Sequence, residues 1–259
     1  MSSYRDIRCA VKTANNELLA TAINHFNNEI VRAGGIAPTT YLLALDGEDL
    51  GTTTTLHGRA GVAKENVTLV ERDPITASKL RHRIPEAAIL ETTMQQFVRS
   101  AAFRPGGYNV VYFDWMCTTT GNKAEGSPQA ALEDLLRRTD QPYVVLAQTF
   151  NMRGKEKANA GCDPALVEPE WVRGTDSIYE QEKVMVCSNL AERALLCGYI
   201  PLWNLHFESM YRRPESPSWM MFMCVMLWKI PKGDVPRHHW NIYNRNQVQI
   251  KDRYVASTP

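Results

Sequence analysis

Acidic residues and glycines follow two short apolar runs in the first third of the chain, where they could bind a nucleotide. Residues 41–45 form the first run, which ends at Asp46, and residues 67–70 form the second, which stops at Glu71. Apolar runs of this length are typical of buried parallel strands. An acid at the tip of the second strand can accept hydrogen bonds from ribose hydroxyls. An ordinary turn followed by a solvated acid would give the same pattern.

The loop after the first run carries Gly47, Glu48 and Gly51 ahead of a stretch of threonines. Glycine lets the backbone approach a ligand closely, so strand, glycine turn, short helix, strand and acid together indicate a nucleotide-binding unit. The glycines do not have the G-x-G-x-x-G spacing of dinucleotide-binding loops. The loop sequence is therefore compatible both with a nucleotide-binding loop and with an ordinary turn.

A second group of reactive side chains follows the apolar run 110–113, in the order Asp114-Trp115-Met116-Cys117. A carboxylate at the carboxyl end of a central strand can orient an amine or hydroxyl, or accept its proton; it could equally cap the next turn. Trp115 could stack on a base or pack on the sheet. Cys117 has no basic residue beside it, and buried cysteines are commonly inert.

The elements that would position these residues alternate along the chain. Five strand-like runs are separated by helical patterns, which predicts a parallel sheet with helices on both faces. Two final runs joined by a short connection predict a closing antiparallel hairpin. The predicted strands are 41–45, 67–70, 87–90, 110–113, 143–150, 202–211 and 218–230, and the predicted helices are 13–33, 74–84, 94–102, 128–138 and one from about 175 to 197. The predicted fold is a three-layer α/β structure with a seven-strand mixed sheet.

The domain organisation follows from this order. Residues 1–230 are predicted to form one domain, with an N-terminal helix over 13–33 and a polar insertion loop over 151–174. Loops of that length inside a compact domain are usually functional or disordered. Residues 231–259 are predicted to form a basic and aromatic C-terminal extension.

Over residues 13–230 this order resembles the Rossmann-like class I S-adenosylmethionine-dependent methyltransferases. The resemblance implies S-adenosylmethionine as the cofactor, with Glu71 on its ribose. The strand endings 113–117 and 148–150 are also similar to methyltransferase-like proteins of viruses and microbial eukaryotes. The resemblance to class I methyltransferases further implies that the first loop holds the methionine end of the cofactor, through Asp46, Gly47, Glu48 and Gly51. It implies that Glu91 and Thr92, after the third strand, flank the adenine. It also implies that the fourth loop faces the methyl group, through Asp114, Trp115, Met116 and Cys117. Asp114 and Trp115 are the implied catalytic residues.

The chain departs from the family pattern in two loops. The first lacks the usual glycine-rich triplet, and the fourth is not the Asp/Asn-Pro-Pro-Tyr/Phe sequence of amino methyltransferases that act on adenine or cytosine. Methyl transfer is the leading hypothesis. The alternatives are a catalytically inactive, methyltransferase-like binding or assembly protein, and a Rossmann-type enzyme that uses a nicotinamide cofactor.

Basic and aromatic residues alternate near the C-terminus. Basic side chains neutralise phosphates and aromatic rings stack on bases, so nucleic acid is the predicted partner. A tail that packs its aromatic rings on the domain is an equally common arrangement. The residues predicted to contact nucleic acid are Arg212, Arg213, Lys229, Lys232, Arg237, His238, His239 and Trp240.

The composition of the 259 residues limits the function classes. The net charge is +1, so a nucleic-acid surface would have to be local. No apolar run is long enough to span a bilayer. The six cysteines form no CxxC pair, which argues against a zinc site and favours free thiols in a reducing, intracellular compartment, the cytoplasm or nucleus.

Overall fold

The computed structural model describes residues 4–114, 128–152, 190, 193–207, 219–229 and 250–251. The helices are α1 (Tyr4–Arg32), α2 (Gly51–Ala60), α3 (Pro74–Arg83), α4 (Met94–Arg99) and α5 (Pro128–Arg138), with a short 3-10 helix at Lys64–Asn66. The strands are β1 (Leu42–Ala44), β2 (Val67–Val70), β3 (Ala88–Leu90), β4 (Val110–Asp114), β5 (Tyr143–Met152), β6 (Tyr199–Phe207), β7 (Trp219–Lys229) and β8 (Ile250–Lys251).

The strands form one mixed sheet in the order β3-β2-β1-β4-β5-β7-β6-β8. The first five strands in this order are parallel to one another, whereas β7 runs antiparallel to both β5 and β6. The predicted mixed sheet with a closing antiparallel pair is confirmed. The two-residue β8 pairs parallel to β6 and adds an eighth strand that the sequence pattern did not predict.

Helices cover both faces of this sheet. On one face, Leu19, Ile23 and Phe26 of α1 share a core with alternate residues of β1, such as Leu42. On the other face, Leu135 of α5 lies in a second core that includes the intervening strand residues. Because successive strand residues point to opposite faces, each apolar run supplies both cores. The predicted three-layer arrangement is confirmed.

Several element boundaries differ from the sequence prediction. The first helix begins at Tyr4 instead of Thr13, since Ile7, Ala10 and Val11 continue the helical apolar spacing ahead of the predicted start. Strand β5 continues to Met152, so the first two residues of the predicted 151–174 loop belong to the strand. Strand β6 begins at Tyr199, before Pro201, and the pairing register shifts between Pro201 and Trp203. Proline donates no ladder hydrogen bond, which explains both the irregularity and the mistaken start.

Other predictions lie wholly or partly outside the described residues. Trp115, Met116 and Cys117, most of the 151–174 loop, and the start of the helix predicted from about 175 belong to this group. So does the 231–259 extension apart from Ile250 and Lys251, together with the predicted nucleic-acid contacts other than Lys229. Residues 193–196 are helical, and Gly198 follows with a φ of +81°, as predicted for a glycine that ends a helix.

Free thiols are present in the part of the chain that the structure describes. Cys197 and Cys224 are free thiols there. No group of three or more potential ligands could hold a metal ion among those residues. None of the helices in those ranges is both long and apolar enough to cross a membrane.

Candidate functional site

Four acidic residues form one row at the carboxyl edge of the parallel strands. Ala44 of β1 is in register with Leu69 of β2 and Tyr112 of β4. Two residues after each of these positions come Asp46, Glu71 and Asp114, which therefore lie side by side. Val70 of β2 pairs with Leu90 of β3, and the next residue on each strand is an acid, Glu71 or Glu91. The row is Glu91, Glu71, Asp46 and Asp114, in the spatial order of their strands. The sequence placed each acid at a strand end, and the sheet brings them side by side.

Asp46 organises the loop that follows β1. Its carboxylate is buried and accepts hydrogen bonds from the backbone N–H of Thr53 at 2.8 Å, the Thr53 hydroxyl at 2.9 Å and the backbone N–H of Gly47 at 2.9 Å. A longer bond comes from the N–H of Thr52 at 3.4 Å. Thr52 and Thr53 lie in the first turn of α2, where N–H groups lack partners within the helix. Asp46 therefore caps α2 from the end of the preceding strand.

The environment of Asp46 affects its ionisation in two opposing ways. Burial raises the pKa of this carboxyl, while the hydrogen bonds from Thr53 and the charge of Lys12 lower it, and the net pKa is above the ordinary value. The hydrogen bonds and the positive end of the helix dipole favour the charged form. Asp46, which is predicted to bind the cofactor, therefore also holds the loop against the first turn of α2.

The loop itself turns tightly between Asp46 and α2. Leu50 has a φ of +53°, the left-handed region that a leucine rarely adopts, although its side chain is buried. The N–H of Leu50 donates to the carbonyl of Gly47 at 3.0 Å. A β-carbon on Gly47 would lie 3.2 Å from Asp49 Oδ1, so a side chain there would require the exposed Asp49 carboxylate to shift slightly. Gly47 and Leu50 thus form the tight turn of the loop predicted to contact the cofactor.

Glu71 lies at the tip of β2 and is partly exposed. One carboxylate oxygen, Oε1, accepts a hydrogen bond from the backbone N–H of Asp73 at 2.7 Å. Its side chain makes no other hydrogen bond or ion pair within the described ranges. The second oxygen is therefore available to accept hydrogen bonds from a pair of hydroxyls at this edge.

Glu48 and Glu91 are exposed and pair with basic side chains of α3. Glu48 lies 2.7 Å from Lys79 Nζ, and Glu91 lies 3.4 Å from a guanidinium nitrogen of Arg81. Surface ion pairs of this kind contribute little to stability and exchange readily with solvent or ligand. The hydroxyl of Thr92, beside Glu91, hydrogen-bonds to Gln96 Oε1 at 3.2 Å. The two predicted adenine-flanking residues thus lie together at the outer end of the row.

Asp114 ends β4 and is held by a residue that the sequence analysis did not single out. Lys12 Nζ of α1 lies 2.5 Å from Asp114 Oδ2, and the two side chains are 18% and 7% exposed. The other carboxylate oxygen, Oδ1, is buried and accepts no hydrogen bond from the residues that the structure describes. A buried acceptor without a donor costs free energy, so Oδ1 is the atom of this site that most requires a partner.

The floor of the site beside Asp114 is polar and buried. Tyr112 of β4 and Thr149 of β5 share a hydrogen bond of 2.8 Å between their hydroxyl groups. Burial, with the charges of Asp114 and Asp46, keeps the pKa of Tyr112 well above its ordinary value, so the phenol stays neutral. Thr149 is in register with Asp114, which extends the polar row onto β5.

Lys229 lies away from the row of acids. It ends β7 beside Pro142, at the edge where β5 begins, and its Nζ is 2.6 Å from Asp140 Oδ1 and 3.0 Å from the Thr139 carbonyl oxygen. Since β7 is antiparallel to β5, this is the amino edge of the parallel strands. Of the residues predicted to contact nucleic acid, Lys229 therefore does not share a surface with the site.

Comparisons with known proteins support the fold. No protein-family model matches the chain, and no curated protein matches it. A solved structure of a putative class I S-adenosylmethionine-dependent methyltransferase from Listeria monocytogenes aligns with a TM-score of 0.50 and 10% identity, over 93% of this chain and 65% of that one. The chain has the class I methyltransferase fold. Its first seven strands have the order 3-2-1-4-5-7-6, and the antiparallel β7 forms the closing antiparallel pair that the sequence analysis predicted.

Two other solved structures align over similar lengths. TYW2 of M. jannaschii, solved with AdoMet, has a TM-score of 0.47 and 10% identity over 78% of this chain and 75% of that one. A putative RNA methyltransferase from Pyrococcus horikoshii has a TM-score of 0.47 and 12% identity over 84% of each chain.

Proposed function

We propose that this chain binds S-adenosylmethionine across the row of acids and transfers its methyl group, with a nucleic acid as the acceptor. The observation that carries the proposal is the register of Glu71 and Asp114 on either side of Asp46. One oxygen of Glu71 is available at the tip of β2, and Asp114 Oδ1 at the end of β4 is buried and has no hydrogen-bond donor among the residues that the structure describes. Ligands of open α/β sheets collect at this edge.

The charges and donors of the site fit this cofactor. S-adenosylmethionine supplies a methyl group on a cationic sulfonium: the acceptor atom bonds to the methyl carbon, the carbon–sulfur bond breaks with its electrons left on sulfur, and the acceptor loses its proton. A row of carboxylates attracts a cation. Glu71 can accept hydrogen bonds from ribose hydroxyls, and the loop shaped by Asp46 and Leu50 faces the other end of the ligand.

Asp114 is the proposed catalytic carboxylate. Methyl transfer needs mainly positioning, because the sulfonium is already activated. The Oδ1 atom of Asp114 can accept a hydrogen bond from an amine or hydroxyl and so orient it or take its proton. Trp115, the next residue in the chain, is proposed to stack on the acceptor or on the adenine.

The acceptor is assigned from charge and aromatic content. Arg212, Arg213 and the run from Arg237 to Trp240 place cations beside aromatic rings in the sequence, the combination that binds phosphates and bases. Replacing Arg212 and Arg213 together with alanine should weaken RNA or DNA binding and reduce its salt dependence. An unchanged salt dependence of binding would remove these two residues from the proposed surface.

Methyl transfer is tested by incubating the purified chain with S-adenosylmethionine labelled in the methyl group. Unmodified RNA, DNA and a protein mixture are offered separately. Label in a nucleic acid that is lost in Asp114→Asn even at saturating concentrations of S-adenosylmethionine supports the proposal. Label in protein alone would contradict the assignment of the acceptor.

A second candidate is a binding or assembly protein without catalysis. It is favoured by the internal contacts of the predicted cofactor residues: Asp46 caps α2, and Glu48 and Glu91 pair with α3. Binding of nucleic acid or protein without any affinity for S-adenosylmethionine or S-adenosylhomocysteine would support this function over methyl transfer.

A further inference from the structure

Lys12 of α1 places a cation at the Asp114 end of the acidic row. Its ammonium lies 2.5 Å from Asp114 Oδ2. Asp46, which caps α2, and Asp49, in the loop before α2, also act on Lys12 through their charges. Tyr112, the remaining titratable group of β4 at this position, is neutral. One lysine therefore faces three carboxylates at the place where β1 and β4 end.

A buried ion pair between α1 and β4 contributes little net free energy to the packing of the helix on the sheet. Taking both charges out of water costs free energy that their attraction often fails to recover, and an apolar pair frequently packs as well. Apolar residues of α1, such as Leu19 and Ile23, already join this helix to the sheet a few turns later. What the Lys12–Asp114 pair adds is charge: it cancels one negative unit of the row and leaves Oδ1 as an acceptor.

We propose that Lys12 is a specificity-determining residue of the cofactor site, which sets how strongly the site prefers the cationic sulfonium of S-adenosylmethionine over the neutral thioether of S-adenosylhomocysteine. With Lys12 present, the row is only partly negative, and the product-like thioether is released without a large charge penalty. Without it, Asp114 adds a full negative charge beside the sulfonium. This inference rests on the proposed function and extends it to the selectivity between substrate and product.

The test is a double-mutant cycle read by calorimetry with the full chain. Dissociation constants for S-adenosylmethionine and S-adenosylhomocysteine are measured for the native chain, Lys12→Met, Asp114→Asn and the double variant. A pH of about 8 keeps most carboxyls with raised pKa values ionised. Lys229→Met is the matched control, since it also removes a lysine from an ion pair, but at the opposite edge.

The ratio of the two dissociation constants shows whether Lys12 sets the preference for the sulfonium over the thioether. Lys12→Met should shift it toward S-adenosylmethionine by about tenfold or more, since a unit charge about 12 Å from the sulfonium at an effective dielectric constant of about 20 already corresponds to a factor of about ten. Asp114→Asn should shift it the opposite way, and the double variant should return close to the native ratio. Lys229→Met should leave the ratio unchanged.

A role confined to folding would change both dissociation constants together and leave their ratio constant. That result, or a double variant whose ratio stays as far from the native value as that of Lys12→Met, would overturn the assignment of Lys12 while the proposed function stands. Absence of binding by either ligand to the native chain would overturn the proposed function and this inference together.

Discussion

Lys12 and Asp114 form a buried ion pair in which Nζ and Oδ2 are 2.5 Å apart, although the two residues lie on the first helix and the fourth strand. Burial lowers the pKa of Lys12, but the charge and hydrogen bond of Asp114, with the charges of Asp46 and Asp49, outweigh it and raise the net pKa above the ordinary lysine value. The pair thus ties the start of the chain to the proposed catalytic edge.

This pair predicts a pH dependence of stability. Because the pKa of Lys12 is raised in the folded state, its contribution is present in full below the ordinary value of 10.5 and is lost as the pH rises through the raised value. The difference in unfolding free energy between the native chain and Lys12→Met should therefore shrink above about pH 10. Urea unfolding of both proteins across this range measures it, and a constant difference would contradict the account.

Asp46→Ala should destabilise the chain by about 1–3 kcal/mol, the usual cost of leaving buried hydrogen-bond donors without an acceptor. The donors are the N–H groups of Gly47, Thr52 and Thr53 and the Thr53 hydroxyl. Asp49→Ala is the matched control, since it removes an exposed aspartate from the same loop. Equal midpoints of chemical unfolding for the two variants would show that Asp46 does not cap α2.

Two glycines near the end of α2 should respond to alanine in opposite directions. Gly61 follows the helix with a φ of +64°, so Gly61→Ala should cost about 1–2 kcal/mol. Gly58 lies within the helix, and a β-carbon there meets no atom within 4 Å. Gly58→Ala should stabilise the chain by about 0.5–1 kcal/mol. Thermal unfolding of both variants measures these changes in stability. Melting temperatures that shift in the same direction would show that α2 does not end at Ala60.

Much of this architecture could be predicted from the sequence because buried parallel strands are short apolar runs. The runs at 67–70 and 110–113 correspond to β2 and β4 almost residue for residue. Pro74 at the first position of α3 and Gly198 after the helical residues 193–196 also gave reliable boundaries. These signals are local, so one sequence is enough to read them.

The contacts within the site could not be predicted in the same way. Lys12 precedes the predicted start of the first helix, and its partner Asp114 is distant in sequence, so no spacing rule links them. Asp46 was predicted to bind a ligand, yet it caps a helix that begins five residues later, a separation that the usual capping motifs do not include. The two-residue β8 is too short to leave a pattern.

Glu71→Ala should weaken the binding of S-adenosylmethionine by about tenfold or more, since a hydrogen bond to a charged group contributes about 1.5–3 kcal/mol. Glu65→Ala is the matched control: Glu65 is exposed and lies at the opposite end of β2, in the 3-10 helix that precedes the strand. Calorimetry on both variants measures the effect. Equal affinities would remove Glu71 from the cofactor site.

The most direct test of the account is calorimetric titration of the native chain with S-adenosylmethionine and, separately, with S-adenosylhomocysteine. The row of Glu91, Glu71, Asp46 and Asp114 predicts saturable binding of both ligands with micromolar dissociation constants. No heat of binding at millimolar concentrations of either ligand would contradict the cofactor assignment and leave the binding or assembly function as the better account of this fold.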